Sequence, residues 1–189
     1  MEEYAQAAWK TQLIVRRCAA HEAFFSDYMK GCSGQCNGLC SDKAATCKIA
    51  KAAVVATLAK PDTLLWEVWT TDAASQPIDL VGILRLSELV TGCSAKAHYF
   101  FFDGKLHDKT PLLAAWKAWG FAPEGAGLHR VTIEVPAYAK ALGYHACRHL
   151  GFGGPYKVDR LAVEGVMRDA IKWRGAWHDI YIMGCIANG

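Results

Sequence analysis

Apolar and polar positions change period several times along the chain, and each change marks an element. Residues 11–18, TQLIVRRC, carry the β-branched content and partial alternation of a short strand. HEAFFSDYMK follows with Phe24, Phe25 and Tyr28 at helical spacing. Beyond a glycine- and cysteine-rich stretch at 31–42, Ser41 or Asp42 suits the cap of a helix through AATCKIAKAAVVATLAK, which Pro61 stops. TLLWEVWTT and IDLVGILRLSEL read as an antiparallel pair joined by the polar loop DAASQP, and AKAHYFFFD as a third strand ended by Asp103-Gly104. Pro111 suits the first turn of a helix with apolar Leu112, Leu113, Trp116 and Trp119. GLHRVTIEVP alternates cleanly until Pro136, and AYAKALGYHACRHLGFGG reads as a helix with a glycine stop. The tail GVMRDAIKWRGAWHDIYIMGCIA reads as two closing strands around Arg174-Gly175. This order predicts a mixed α/β domain, and order alone names no function.

Composition narrows the class. A chain of 189 residues fits one domain, at the usual ~150 residues each. With 52% hydrophobic and 21% charged residues it can bury a core, which excludes a disordered chain. No apolar run approaches the ~20 residues of a membrane helix. The start, MEEYAQAAWK, has two acids and no basic region of a secretory signal, so a cytoplasmic protein is expected. The net charge of +3 does not by itself mark a nucleic-acid binder. There is no linker, repeat or low-complexity segment. Five tryptophans (Trp66, Trp69, Trp116, Trp119 and Trp173) stand in predicted elements, where core packing is their simplest use.

Several segments of the C-terminal half act together as a signature: GLHRVTIEV, then HLGF at 149–152, EGVMRDA at 164–170 and RGAWHDIYIMG at 174–184. With these residues the chain resembles the GNAT superfamily of N-acetyltransferases, in particular the branch that acetylates protein N-termini and antibiotics. Similar proteins occur in bacteriophage genomes. The element order matches along nearly the whole chain; the letters match over about 65–187, most strongly after 127. The resemblance implies one GNAT-like domain over 1–189, with a Cys-rich insertion at about 31–47. It implies a mixed central sheet of about seven strands with helices on both faces, splayed between strands 4 and 5. Acetyl-CoA, the implied co-substrate, would enter that opening, where parted parallel strands leave backbone N–H and C=O groups for a pantetheine amide. The next helix would offer N–H groups to the pyrophosphate.

The loop before that helix departs from the family's glycine-rich form. Here it reads DGKLHDKTP, residues 103–111, with a single glycine. Close backbone approach needs glycine, so charge and hydroxyl would have to substitute. The expected cofactor-binding residues are therefore Phe102, Asp103, Gly104, Lys105, His107, Lys109 and Thr110. Solvated loop residues are the alternative.

Acyl transfer to an amine needs a base for the amine and an acid for the leaving thiolate. Glu134 lies in T-I-E-V, where the resembled branch places a base glutamate; an exposed strand carboxylate is the plain alternative. Four residues before the Gly-Phe pair the superfamily has an acid tyrosine, and this chain has Cys147. Tyr144, three residues earlier on the helix, could reach the same space, and Cys147 is then a core residue. Glu67, in Trp-Glu-Val-Trp, shares its face with Trp69 by alternation and is a further cleft candidate.

Cys32, Cys36, Cys40 and Cys47 are not explained by the resemblance. Four thiols among glycines can converge on one ion, and zinc or an iron–sulfur cluster fits, with His21 as a substitute ligand. The x3 spacings are off the usual zinc pattern, and unpaired thiols are the plain alternative. The first function these observations support is an acyl-CoA-dependent N-acyltransferase acting on a primary amine of a small molecule, peptide or modified base. The second is a GNAT-fold enzyme that modifies nucleic acid, and the third a non-catalytic binding protein. The acceptor and the oligomeric state are not written in the sequence.

Overall fold

The computed structural model describes residues 3–6, 13–17, 60–74, 76–101 and 108–187. They divide into two compact units, one within 1–86 and 99–107, the other within 87–98 and 108–189. The expected helices at 21–30 and 44–60 lie outside the described residues.

In the first unit, strands β1 (Glu3–Gln6), β2 (Leu13–Arg17), β3 (Leu64–Thr71) and β4 (Pro77–Val90) pair in that order, all antiparallel. From Ser87 onward β4 belongs to the second unit. The run from Leu80 to Leu84 is buried at every position, including Gly82, which marks a strand covered on both faces. The β3–β4 loop closes as the polar DAASQP predicts. The Asp72 carboxylate accepts from the Ala74 N–H at 2.9 Å and the Gln76 N–H at 2.8 Å.

The second unit is built on β5 (Ser94–Phe101, up to His98), β6 (Arg130–Pro136), β9 (Gly165–Trp173) and β10 (Ala176–Ile186). Their order is β5-β6-β10-β9, with β5 and β6 parallel and the other pairs antiparallel. Among the described residues the sheet has eight strands, against about seven expected; β1 is the sheet strand the sequence did not signal. Helix α1 (Thr110–Phe121) precedes β6, and α2 (Lys140–Leu150) follows it.

The helix expected over 137–154 is shorter: a 3-10 turn at Ala137–Ala139 leads into α2, which ends at Leu150. Gly151 stands in the left-handed region at φ 70°, where an L side chain would be strained. That turn buries Leu150 and Phe152 on either side of it, which accounts for the Leu-Gly-Phe triplet. Lys117 of α1 donates to the Leu150 carbonyl at 2.6 Å, placing a cation on the C-terminus of α2. A small hairpin follows that the sequence reading missed, β7 (Tyr156–Val158) with β8 (Leu161–Val163). Of the five tryptophans, Trp66 and Trp116 are core residues, while Trp69, Trp119 and Trp173 are half-buried, a correction to a uniform core role.

Candidate active site

Strand β6 alternates in burial along its length. Val131, Ile133 and Val135 are buried, and Arg130, Thr132, Glu134 and Pro136 lie on the half-exposed face. Its edge toward β10 is paired throughout, from Arg130↔Ile186 to Pro136↔Ile180. Toward β5 the ladder has three pairs, Ser94↔Arg130, Ala95↔Val131 and Lys96↔Thr132. Past Lys96↔Thr132 the ladder stops, with Ala97 and His98 of β5 outside it. β5 and β6 are strands 4 and 5 of the sequence count, so the parting falls where the resemblance implies it.

Glu134 stands two residues past the last pair. Its carboxylate meets the Lys96 ammonium at 2.8 Å, and the same ammonium reaches Glu88 at 3.0 Å. Hydrogen bonding to Glu134, then to Glu88, raises the Lys96 pKa above its usual value. Lys96 is therefore a charged cation shared by two carboxylates. Glu88 itself has φ 52° inside β4, an uncommon backbone for a non-glycine residue. Behind it, Ser87 Oγ lies 3.1 Å from His98 Nε2.

Tyr144 and Cys147 share a face of α2, as their spacing predicts, and that face meets the β7–β8 hairpin. The Tyr144 hydroxyl donates to the Asp159 carbonyl at 2.6 Å, and the Cys147 thiol lies 3.9 Å from the Ala162 carbonyl. Asp159 gathers a latch around it. Lys140 donates to its carboxylate at 2.5 Å and Tyr181 at 2.7 Å, and these bonds hold the Asp159 carboxyl below its usual range. Among the described residues, neither Tyr144 nor Cys147 has a hydrogen bond to Glu134.

The other signature residues are also fasteners. Glu164 pairs with Arg130, and a side chain at Gly184 would collide with both. Asp179 sits at the bulge between β9 and β10, accepting from Arg168 at 2.5 Å and from the Asp169 N–H at 3.1 Å.

At the start of α1, Thr110 Oγ1 lies 3.0 Å from His145 Nε2 of α2, and the His145 and His149 rings are 5.1 Å apart. Burial, with the charge of His149 added, lowers the His145 pKa. The Asp108 carboxylate accepts from the Thr110 N–H at 3.0 Å. Lys109 occupies the cap position of the same helix. Phe102, Asp103, Gly104, Lys105 and His107 lie outside the described residues, as do Cys32, Cys36, Cys40, Cys47 and His21. Glu67 belongs to the first unit, where the Trp69 indole donates to it at 3.0 Å. Among the described residues no group of three or more His, Cys, Asp or Glu could hold a metal ion, and no helix is long and apolar enough to cross a membrane.

Sequence reasoning missed Lys96, Glu88, Asp108, His149 and Asp159. The alternation of A-K-A-H was the available signal for Lys96, since it sets the lysine apart from buried Ala95 and Ala97.

No protein-family model matches the chain, and neither does any curated protein. Solved structures do match. An acetyltransferase from Salmonella typhimurium, described as modifying the N-terminal serine of ribosomal protein L7/L12, is 14% identical with a TM-score of 0.67, over 98% of this chain and 100% of that one. RimL, an L7/L12 N-terminal acetyltransferase in complex with coenzyme A, is 14% identical with a TM-score of 0.67, over 97% and 98%. The spermidine/spermine N-acetyltransferase SpeG from Vibrio cholerae is 14% identical with a TM-score of 0.60, over 93% and 92%. At such identity the likeness is one of fold, and the fold is that of the N-acetyltransferases.

Proposed function

We propose that the chain is an acetyl-CoA-dependent N-acyltransferase that moves an acetyl group to a primary amine, working as one GNAT-like domain. The supporting observation is the parallel β5–β6 pair that parts after Lys96↔Thr132 with a carboxylate, Glu134, just past the parting. Strand edges released there can hold a pantetheine amide. The start of α1, with Lys109 and Thr110, offers N–H groups, charge and a hydroxyl to the pyrophosphate in place of a glycine loop.

In this reading Glu134 takes a proton from the acceptor ammonium, which is mostly protonated near neutral pH. The neutral amine attacks the thioester carbonyl and the C–N bond forms; as the C–S bond breaks the thiolate takes a proton from an acid, and the extra proton on the new amide nitrogen is released to restore that acid. Tyr144 is the candidate acid and must first give up its bond to the Asp159 carbonyl; Cys147 is the substitute. Lys96 competes with the incoming ammonium for Glu134.

Acetyl-CoA should raise the melting temperature, by the equivalent of about 2.7 kcal/mol at a hundredfold excess over Kd. Spermidine and a peptide with N-terminal serine, the acceptors of the neighbouring folds, are the first to test by thiol release. No CoA binding by calorimetry at millimolar concentration overturns the reading. The cysteine cluster is proposed separately to hold about one zinc ion or iron–sulfur cluster per chain. Metal analysis after anaerobic purification, with Cys36→Ser expected to lose the metal, checks this.

A further inference from the structure

The tip of the β9–β10 hairpin has a use the acyl-transfer reading does not need. Its residues 172–178 read Lys-Trp-Arg-Gly-Ala-Trp-His, with two permanent cations and no acid. On one side Trp173 stacks on Tyr138 at 5.1 Å and 18° between planes, and His178 meets the Tyr138 ring edge-on at 5.3 Å. The Arg174 guanidinium lies 5.7 Å from the centre of the Trp173 ring. These contacts hold one side of the tip against Tyr138. Trp177 is paired in register with Lys172, so the two share a face, and Trp177 is 60% exposed. An indole held out in water beside an exposed ammonium contributes little to folding, and the exposed Arg174 at the turn adds a second cation to the tip.

We infer that this tip binds single-stranded nucleic acid, with a base stacked on Trp177 and phosphates on Lys172 and Arg174. Every base offers a π-face to an indole, and the strand supplies an anion at each step. An acidic peptide would match the charge and leave the indole unused. A polyamine is repelled by the two cations. Asp179, the acid next to the tip in sequence, does not neutralise it, because it already pairs with Arg168. The inference stands whether or not the chain transfers acyl groups.

Fluorescence anisotropy with labelled oligo(dT) and oligo(U) of ~20 nucleotides, on the full chain at about 50 mM salt, tests it. Trp177→Ala should weaken binding about tenfold or more, and Trp177→Phe should keep most of it. Lys172→Ala with Arg174→Ala should reduce the slope of log K against log salt by about 1.4, at ~0.7 per contact on a single strand. Melting temperatures of all variants should stay at the wild-type value. A duplex of the same length should bind more weakly, since its bases are already stacked. Absence of binding, indifference to Trp177→Ala, or equally tight binding of poly-glutamate through the same residues would overturn the inference.

Discussion

Along one edge of β6 seven residues pair with β10, and along the other three pair with β5. The same strand is thus a closed wall on one side and an opening on the other. The closed side is reinforced from several directions: Met183 of β10 is fully buried, Glu164 pairs with Arg130, and Tyr181 reaches the Asp159 latch. Past its three ladder pairs the open side is bridged by charge, through Lys96 and Glu134. Most residues that carry the family resemblance belong to the closed side. They hold the fold, and the chemistry we propose rests on the side with fewer constraints.

That contrast can be broken from either edge. The largest effect is expected on the open one. Glu134→Gln should lower turnover ~100- to 10,000-fold with CoA affinity nearly unchanged, read as kcat by thiol release beside calorimetric Kd. A rate within threefold of wild type would remove Glu134 from the base role. On the closed edge, Met183→Ala should cost about 2–5 kcal/mol of stability in denaturant titrations, the usual range for a fully buried methionine. Its thermal shift with acetyl-CoA should survive if the two edges work independently.

Tyr144→Phe sharpens the comparison, because this residue belongs to the latch and is proposed for the chemistry. Losing a half-exposed hydrogen bond should cost less than ~1 kcal/mol, while the rate should fall at least tenfold if the hydroxyl is the acid. Cys147→Ala should change stability more than rate. The reverse pattern assigns the acid role to the cysteine.

The smallest expected effect concerns pH. His145 binds a proton less readily in the folded chain than at its ordinary 6.5. The unfolded chain therefore takes up more protons as pH falls through that value, and stability should drop with it. His145→Gln should flatten the dependence of the urea midpoint between about pH 7 and pH 5. An unchanged slope would place the source elsewhere.

How much of this was legible follows from the range of each signal. Burial alternates along β6 as its letters do, so its strand and its inward face could be read directly. A glycine stop for α2 could be read, but the helix ends at Leu150, before Gly151, short of the 154 that the letters suggested. The β7–β8 hairpin could not be seen, since three-residue strands are too short to show a period. Its turn uses Asp159 and Arg160 at φ 50° and 68° where Asn-Gly would have signalled it. The meeting of Lys96 with Glu134 depends on the register of two strands separated by a helix, and no local pattern encodes register across that distance. Tyr144 and Cys147 were correctly put on one face. What that face would touch required the hairpin.

The short β5–β6 ladder also bears on association with other chains. A strand edge left without a neighbour is a template for any extended segment that passes, from another copy or from an unfolding chain. Here the approach is guarded by Lys96 between Glu88 and Glu134, and an intruding strand would have to bury those charges against its own backbone. Replacing both Lys96 and Glu134 with valine should therefore increase the formation of β-rich aggregates on concentration, at a melting temperature little changed from wild type. The ion pair that meets the proposed acceptor would then also serve as the lock on an otherwise adhesive seam.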